Sequence, residues 1–356
     1  MNDTDIPVSQ RLSRTTSSLP PCCLVVHPKD KSLVIVGTYK LHEGDSREGT
    51  IEIYKVDLKD KSLKLAADYA AGSAILDLKI HPKNSDLIFT CHSTGEVKIW
   101  RIDIGDLTLK EQDHHQIVEK TTLLTSMAFS PNSDEEIALT ATDGSVSTLC
   151  YGSGRHSITQ MHTTHDLECW IGAYGQVGDL RNVLFTGGDD GRLIAHDLRS
   201  SMHIWSTNYN HHDAGVTSIL CPSETWNANK NNHLWTGSYD DCLRIFDLRV
   251  MDSRAPSLIE GYLPRVIQKK NLGGGVWRLL PSLLPNDDRV LSCCMYDGAR
   301  IVEVNDSGFE VSRYFKGDHE SMCYAGDWST DGEFVVTSSF YDKVIQVWSP
   351  DEVSSQ

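Results

Sequence analysis

The chain has no excess of positive charge. Against 49 Asp and Glu stand only 33 Lys and Arg, a formal net charge of −16. A nucleic-acid surface needs a basic footprint, so no nucleic-acid partner is expected, while cationic or mixed-charge partners are compatible. Long apolar runs are missing as well. Nothing approaches the roughly 20 residues that cross a bilayer, and the first residues carry no apolar signal core. Ten cysteines are present without one C-x-x-C pair, which speaks against a zinc site or a disulfide framework. Buried free thiols in a reducing compartment are the expectation. The sequence also lacks a G-x-S-x-G elbow, an H-E-x-x-H pair, a P-loop and a Rossmann glycine fingerprint. No stretch reads as a convincing amphipathic helix. These absences predict a soluble, cytoplasmic monomer with no metal, cofactor or membrane contact.

What is there repeats. "TGGDDGRLIAHDLR" (186–199) and "TGSYDDCLRIFDLR" (236–249) agree at seven of fourteen positions, 50 residues apart. The same phrase is a short apolar run with Thr or Ser, a tight turn and an alternating segment. Its turn falls at Gly49, Gly95, Gly144, Gly191, Asp241, Gly298 and Lys343, at intervals of 45 to 57 residues. Period-2 alternation, as in "EVKIW" and "VIQVW", suits strands with one buried face, and the turn residues supply the positive φ of a tight hairpin. A strand-like run lies about twenty residues before most turns, and a fourth run fits between copies. Four short antiparallel strands per copy, seven times over, resembles the WD40 β-propeller. The prediction is all-β: a seven-bladed WD40-type propeller forming a single domain over residues 1–356, with blades over 22–349. The N-terminal segment 1–21 is predicted to close blade seven by adding residues 8–18 to its edge, because the C-terminal "SPDEVSSQ" is too short and polar to return.

The segments before the innermost strands carry the polar residues. They read "THDLECW" (164–170), "HHDAGVTS" (211–218), "LGGGVWR" (272–278) and "DHESMCYAGDW" (318–328). In a propeller these segments share one face with the tight turns, around the channel mouth. His165, Glu168, Trp170, His212, Trp277, Arg278, His319, Tyr324 and Asp327 can converge there. Two readings stay open for the histidines. A His in this loop commonly stiffens its blade through a strand Ser or Thr and the turn Asp, which would pair His212 with Asp240 and His319 with Asp342. Alternatively, a His serves as a general base. The run of three glycines at 273–275 points to close backbone approach, either to a neighbour or to a ligand.

Taken together, "THDLECW", "HHDAGVTSI", "GGGVWRL" and "HESMCYAGDWS" resemble the diphthine methyl ester hydrolase family of WD40 proteins. The likeness is specific over blades four to seven and generic over blades one to three. His196, in place of the usual Trp, departs from the pattern and implies an incomplete stiffening network in blade four; the polar 227–232 loop of blade five departs too. The resemblance implies hydrolysis of the methyl ester of methylated diphthine on translation elongation factor 2, in diphthamide biosynthesis. It implies His165 or His212 as general base on water, with Arg278 or the backbone N–H groups near Gly274 and Gly275 stabilising the oxyanion. Trp170, Trp277, Tyr324, Glu168 and Asp327 would receive the quaternary ammonium, with His319 beside them. The competing reading is a non-catalytic adaptor that binds a protein on the same face.

Overall fold

A computed structural model describes residues 6–152, 156–249, 259–306 and 308–354. Its strands form seven four-stranded antiparallel sheets, the blades of a propeller. From the axis outward, blade one holds Pro21–Val26, Leu33–Thr38, Thr50–Asp57 and Ser62–Ala70. Blades two to six repeat that order, their innermost strands being Ile75–Ile80, Leu124–Phe129, Cys169–Tyr174, Val216–Leu220 and Arg278–Pro281. Blade seven begins at Cys323–Trp328. Each innermost strand packs against the next, and the last packs against the first, so the ring is closed. No α-helix occurs among the described residues, and no helix is long and apolar enough to cross a membrane.

Blade seven takes its outer strand from the other end of the chain. Ser9–Thr16 pairs antiparallel with Val344–Val353, with Arg14 opposite Gln346 and Thr16 opposite Val344. Arg11 and Arg14 both reach Asp318, at 2.6 and 2.7 Å. The polar C-terminal residues lengthen the third strand through Val353 and do not form a fourth, and the added edge strand covers N–H and C=O groups that would otherwise template pairing.

Six of the seven expected turn positions have positive φ: Gly95, Gly144, Gly191, Asp241, Gly298 and Lys343. Blade one departs. There a small hairpin, Lys40–Leu41 with Arg47–Glu48, replaces the tight turn and moves the left-handed residues to Gly44 and Asp45. Gly49 instead lies where a Cβ would come within 2.5 Å of the Thr38 carbonyl oxygen.

The core is divided among the blade interfaces. Between blades four and five, Phe185, Leu193, Trp205, Val216, Leu234 and Phe246 form one buried cluster. Between six and seven, Leu291, Ile301, Phe315, Trp328 and Trp348 form another. Burial of each such side chain contributes about 1.5–3 kcal/mol, so neighbouring blades stabilise one another. All ten cysteines are free thiols, and eight of them are buried.

Candidate active site at the channel mouth

The innermost strands share an irregularity that builds the site. In blades one, two, three, four, five and seven the register slips at the second residue of the strand. A bulge at that place re-aims one side chain. The residues so placed are Cys22, Leu76, Thr125, Trp170, Thr217 and Tyr324, and Trp277 is their counterpart in blade six. Five of these seven, Cys22, Leu76, Trp170, Trp277 and Tyr324, line a cup of about 520 Å³ at the channel mouth. Tyr239, Phe340 and Tyr341 from the turns of blades five and seven complete its wall, and Tyr39, Lys40 and Leu41 of blade one continue it, Tyr39 lying 6.1 Å from Phe340.

The cup is an aromatic cage. Trp277 stacks on Tyr324 with ring centroids 4.7 Å apart, and Trp170 and Tyr239 meet Trp277 at 5.8 and 5.6 Å. Trp170 is held by a hydrogen bond from its Nε1 to Asp189 Oδ1 at 3.0 Å. Burial pushes the Tyr239 hydroxyl well above its usual range, and the charges of Asp189 and Glu168 push it further. Two carboxylates therefore stand beside the cage wall. Tyr296 and Tyr341, 61% and 67% exposed, carry the aromatic surface outward.

The histidines go elsewhere. His165 Nδ1 meets Asp190 at 2.9 Å and its Nε2 meets Thr186 Oγ1 at 2.9 Å, with the side chain fully enclosed. Burial alone would raise Asp190, but the hydrogen bond and charge of His165, with the N–H groups of Asp166 and Arg192, hold it well below the carboxylate range. Thr186 also meets His196 Nε2 at 2.8 Å, so His196 completes the stiffening network that the missing Trp was expected to break. His212 meets Thr236 at 2.9 Å and not Asp240. Asp240 is held by the buried Arg244 and by the N–H of Asp213. His319 bridges Ser339 and Thr337, at 2.7 and 2.9 Å, while Asp342 accepts the N–H of Glu320. Burial, with Arg244 adding to it, lowers His212 to about 3; burial lowers His319 to about 4. Imidazoles bonded inside their blades in this way stiffen them; the general-base role expected of His165 and His212 does not fit their positions, nor a ligand contact that of His319.

Gly274 and Gly275 serve packing. A Cβ on Gly274 would lie 2.1 Å from the Cys294 carbonyl oxygen, and one on Gly275 would lie 2.5 Å from Met295 Sδ. Both are buried, and their close approach is to the neighbouring turn at Cys294 and Met295. Asp327 lies deeper than the cup. Its Oδ2 accepts the N–H of Val26 at 2.8 Å, tying blade seven to blade one, and burial raises it to about 6. Arg278 does reach the channel, where its Nη2 donates to Asp77 Oδ1 at 3.3 Å. Sequence reasoning missed Asp77, Cys22, Tyr239 and Tyr341. A signal for the tyrosines existed: "SYDD", "MYDG" and "FYDK" put Tyr one place before the turn acid in three successive blades.

Fold and site define a WD40-type β-propeller with an aromatic cup at its channel mouth. Residues 310–349 match the model of the WD domain, G-beta repeat. Solved propellers share the architecture at low identity. A chain of the mitotic checkpoint complex superposes with TM-score 0.70 at 15% identity, over 99% of this chain and 95% of that one. The β-propeller domain of Myceliophteria thermophila Cps50 (Swd1) gives 0.69 at 12%, over 96% and 99%. Closer likenesses are to proteins named diphthine methyltransferase. That of Saccharomyces cerevisiae is 36% identical over 96% of this chain and 99% of its own length. That of Schizosaccharomyces pombe is 32% identical, over 89% and 91%. The chain belongs to the diphthine methyltransferase family. The resemblance read from the motifs and these relatives agree on diphthine; the relatives are named for methyl transfer, whereas the resemblance implied hydrolysis of a methyl ester.

Proposed function

We propose that this chain acts in diphthamide biosynthesis by hydrolysing the methyl ester of methylated diphthine on translation elongation factor 2, giving diphthine and methanol. The observation that carries the reading is the cage of Trp170, Tyr239, Trp277 and Tyr324 at the channel mouth, with Glu168 and Asp189 beside it. Aromatic faces attract a quaternary ammonium through their quadrupole, most strongly where water is excluded, and flanking carboxylates add to the attraction. A trimethylammonium head in the cup would bring the neighbouring ester toward the channel, where Arg278 can take the charge that develops on the carbonyl oxygen. Water supplies the attacking oxygen. Burial pushes the Cys22 thiol up to about 12, which disfavours the thiolate a covalent route needs. We assign proton acceptance to Glu168, half-buried and near enough for its charge to act on Tyr239 of the cup, in place of the enclosed histidines. Ten free thiols support a reducing, cytoplasmic setting.

One experiment separates this reading from methyl transfer and from a non-catalytic adaptor. Purified protein is incubated with elongation factor 2 whose methylated diphthine carries an isotopically labelled ester methyl. Hydrolysis puts the label in methanol, transfer puts it on another acceptor, and an adaptor leaves it in place. Label retained on folded, substrate-binding protein would overturn the proposal.

A further inference from the structure

The rings of the cup form one run. From blade four to blade one it passes Trp170, Tyr239, Trp277, Tyr324, Phe340 and Tyr39, and beyond Trp170 blades two and three supply Leu76, Leu123 and Thr142 in place of rings. Trp170 therefore stands at an open end. Its ring contacts are oblique: Trp277 at 5.8 Å with planes 58° apart, and Tyr239 edge-on at 6.4 Å and 87°. Trp277 by contrast lies stacked on Tyr324 at 4.7 Å, and its buried Nε1 has no hydrogen-bond partner among the described residues. That indole is held by its neighbours' rings. The end ring needs another hold.

Asp189 supplies it. Its Oδ1 accepts the Trp170 Nε1–H at 3.0 Å, a bond to a charged acceptor and so stronger than one to a neutral oxygen. Its own N–H donates to the carbonyl of Glu168 at 2.7 Å, so the segment 168–170 is tied to Asp189 at both ends. Two places before the turn residue, blades five, six and seven carry Tyr239, Tyr296 and Tyr341, whereas blade four carries Asp189. A tyrosine there has no carboxylate to accept an indole N–H. Gly215 makes the room: a Cβ on it would lie 2.7 Å from Asp189 Oδ1 and 3.1 Å from Tyr239 Cδ2.

We propose that Asp189 is a positioning residue for the reaction at the cup, fixing the Trp170 indole as the blade-four wall and holding the Glu168 backbone beside it. The proposal rests on the function given above and goes beyond it by assigning Asp189 an action through Trp170, separate from the charge of its carboxylate. Preorganisation is the physical reason. An indole free about its two side-chain torsions loses that freedom when a ligand packs on it, which weakens binding; one already bonded to Asp189 has lost it in the folded protein. The N–H tie to Glu168 survives changes of the Asp189 side chain. Loss of the carboxylate anchor should therefore raise KM with little change in kcat.

The test has a kinetic and a spectroscopic arm, both on the full chain. With the labelled ester on elongation factor 2, Asp189→Ala should raise KM about threefold to tenfold, the range expected from freeing one rotamer-rich side chain. Asp189→Asn keeps an acceptor oxygen without the charge and should recover most of that loss. In a Trp170→Phe background, which lacks the indole N–H, Asp189→Ala should add almost nothing, because the two residues act through one bond. The chain carries eight tryptophans. With 5-fluorotryptophan incorporated, the fluorine resonance that disappears in Trp170→Phe identifies Trp170; it should stay sharp in Asp189→Asn and broaden or move in Asp189→Ala. Should Asp189→Ala fail to fold, Asp189→Ser, too short to reach the indole, takes its place. A KM in Asp189→Asn as high as in Asp189→Ala, additive losses in the double variant, or an unmoved Trp170 resonance in Asp189→Ala each overturns the proposal. A parent chain that releases no labelled methanol would instead remove the function above, while the Trp170 resonance still decides the anchor.

Discussion

Trp277 of blade six stacks on Tyr324 of blade seven with their planes 26° apart. The two occupy the same place at the start of the innermost strand in neighbouring blades, so their contact exists only because the ring brings those strands side by side. The pair sits in the cage wall, which makes it the most direct handle on the proposed cation binding. Trp277→Ala should raise KM roughly tenfold, as expected from the 0.5–2 kcal/mol of a cation–π contact, with kcat changed far less. Trp277→Phe should recover much of the loss. Steady-state kinetics on the modified factor decides; an unchanged KM in the Ala variant would remove Trp277 from the cation site.

Glu168→Gln should leave melting nearly unchanged and lower kcat about 10²–10⁴-fold, the range for loss of a general base. Full turnover by this variant would place the proton acceptor elsewhere.

His165→Ala should act on stability. It removes contacts to Asp190 and Thr186 and leaves a buried carboxylate short of a partner, at a cost of about 1–3 kcal/mol. Folded molecules should turn over normally, and thermal melting paired with kcat on the folded fraction shows both effects. A variant that melts like the parent but has lost activity would restore His165 to the catalytic role.

Acid should unfold this protein through its histidines. His92, His196, His212 and His319 are lowered from 6.5 to about 3, 3, 3 and 4, by burial first in each case. Below pH 6.5 the unfolded chain binds protons that the folded chain refuses, so stability present above that value is lost as pH falls from about 6.5 toward 4. Asp327, raised to about 6, works in the opposite direction between about pH 4 and 6, but as one group against four. Melting temperature measured from pH 8 to 4 should decline from near 6.5 downward. His319→Gln should make that decline shallower, and a flat profile would contradict the neutral, buried state of these rings.

Deleting residues 1–18 should lower the melting temperature by several degrees, because it removes the strand paired along Val344–Val353 and the Arg11 and Arg14 contacts to Asp318. A synthetic peptide of residues 6–18 should restore part of the loss. An unchanged melting temperature after deletion would show that the closure carries little stability.

Repetition, turn chemistry and period-2 alternation made seven blades and six of the seven turn positions readable from the chain alone. These signals are local: a positive φ, an alternating face and a recurring spacing are properties of a few consecutive residues. The motifs also pointed to diphthine, which the names of the relatives share, and the structure brings Trp170, Trp277 and Tyr324 together in the cup. What a string cannot carry is direction. His165 in the loop and Trp170 at the second place of the strand lie five residues apart, yet one turns into its blade to meet Thr186 and the other lines the cup, because the bulge falls at that second position. Arg278 and Asp77 are 201 residues apart and unremarkable in their own segments. Only closure of the ring sets blade six against blade two across a channel narrow enough for the two to touch. The sequence by itself determined the repeat, the blade and the family. Tertiary structure decided which polar groups are enclosed within a blade and which face the channel, since burial and partner distance depend on all seven blades at once.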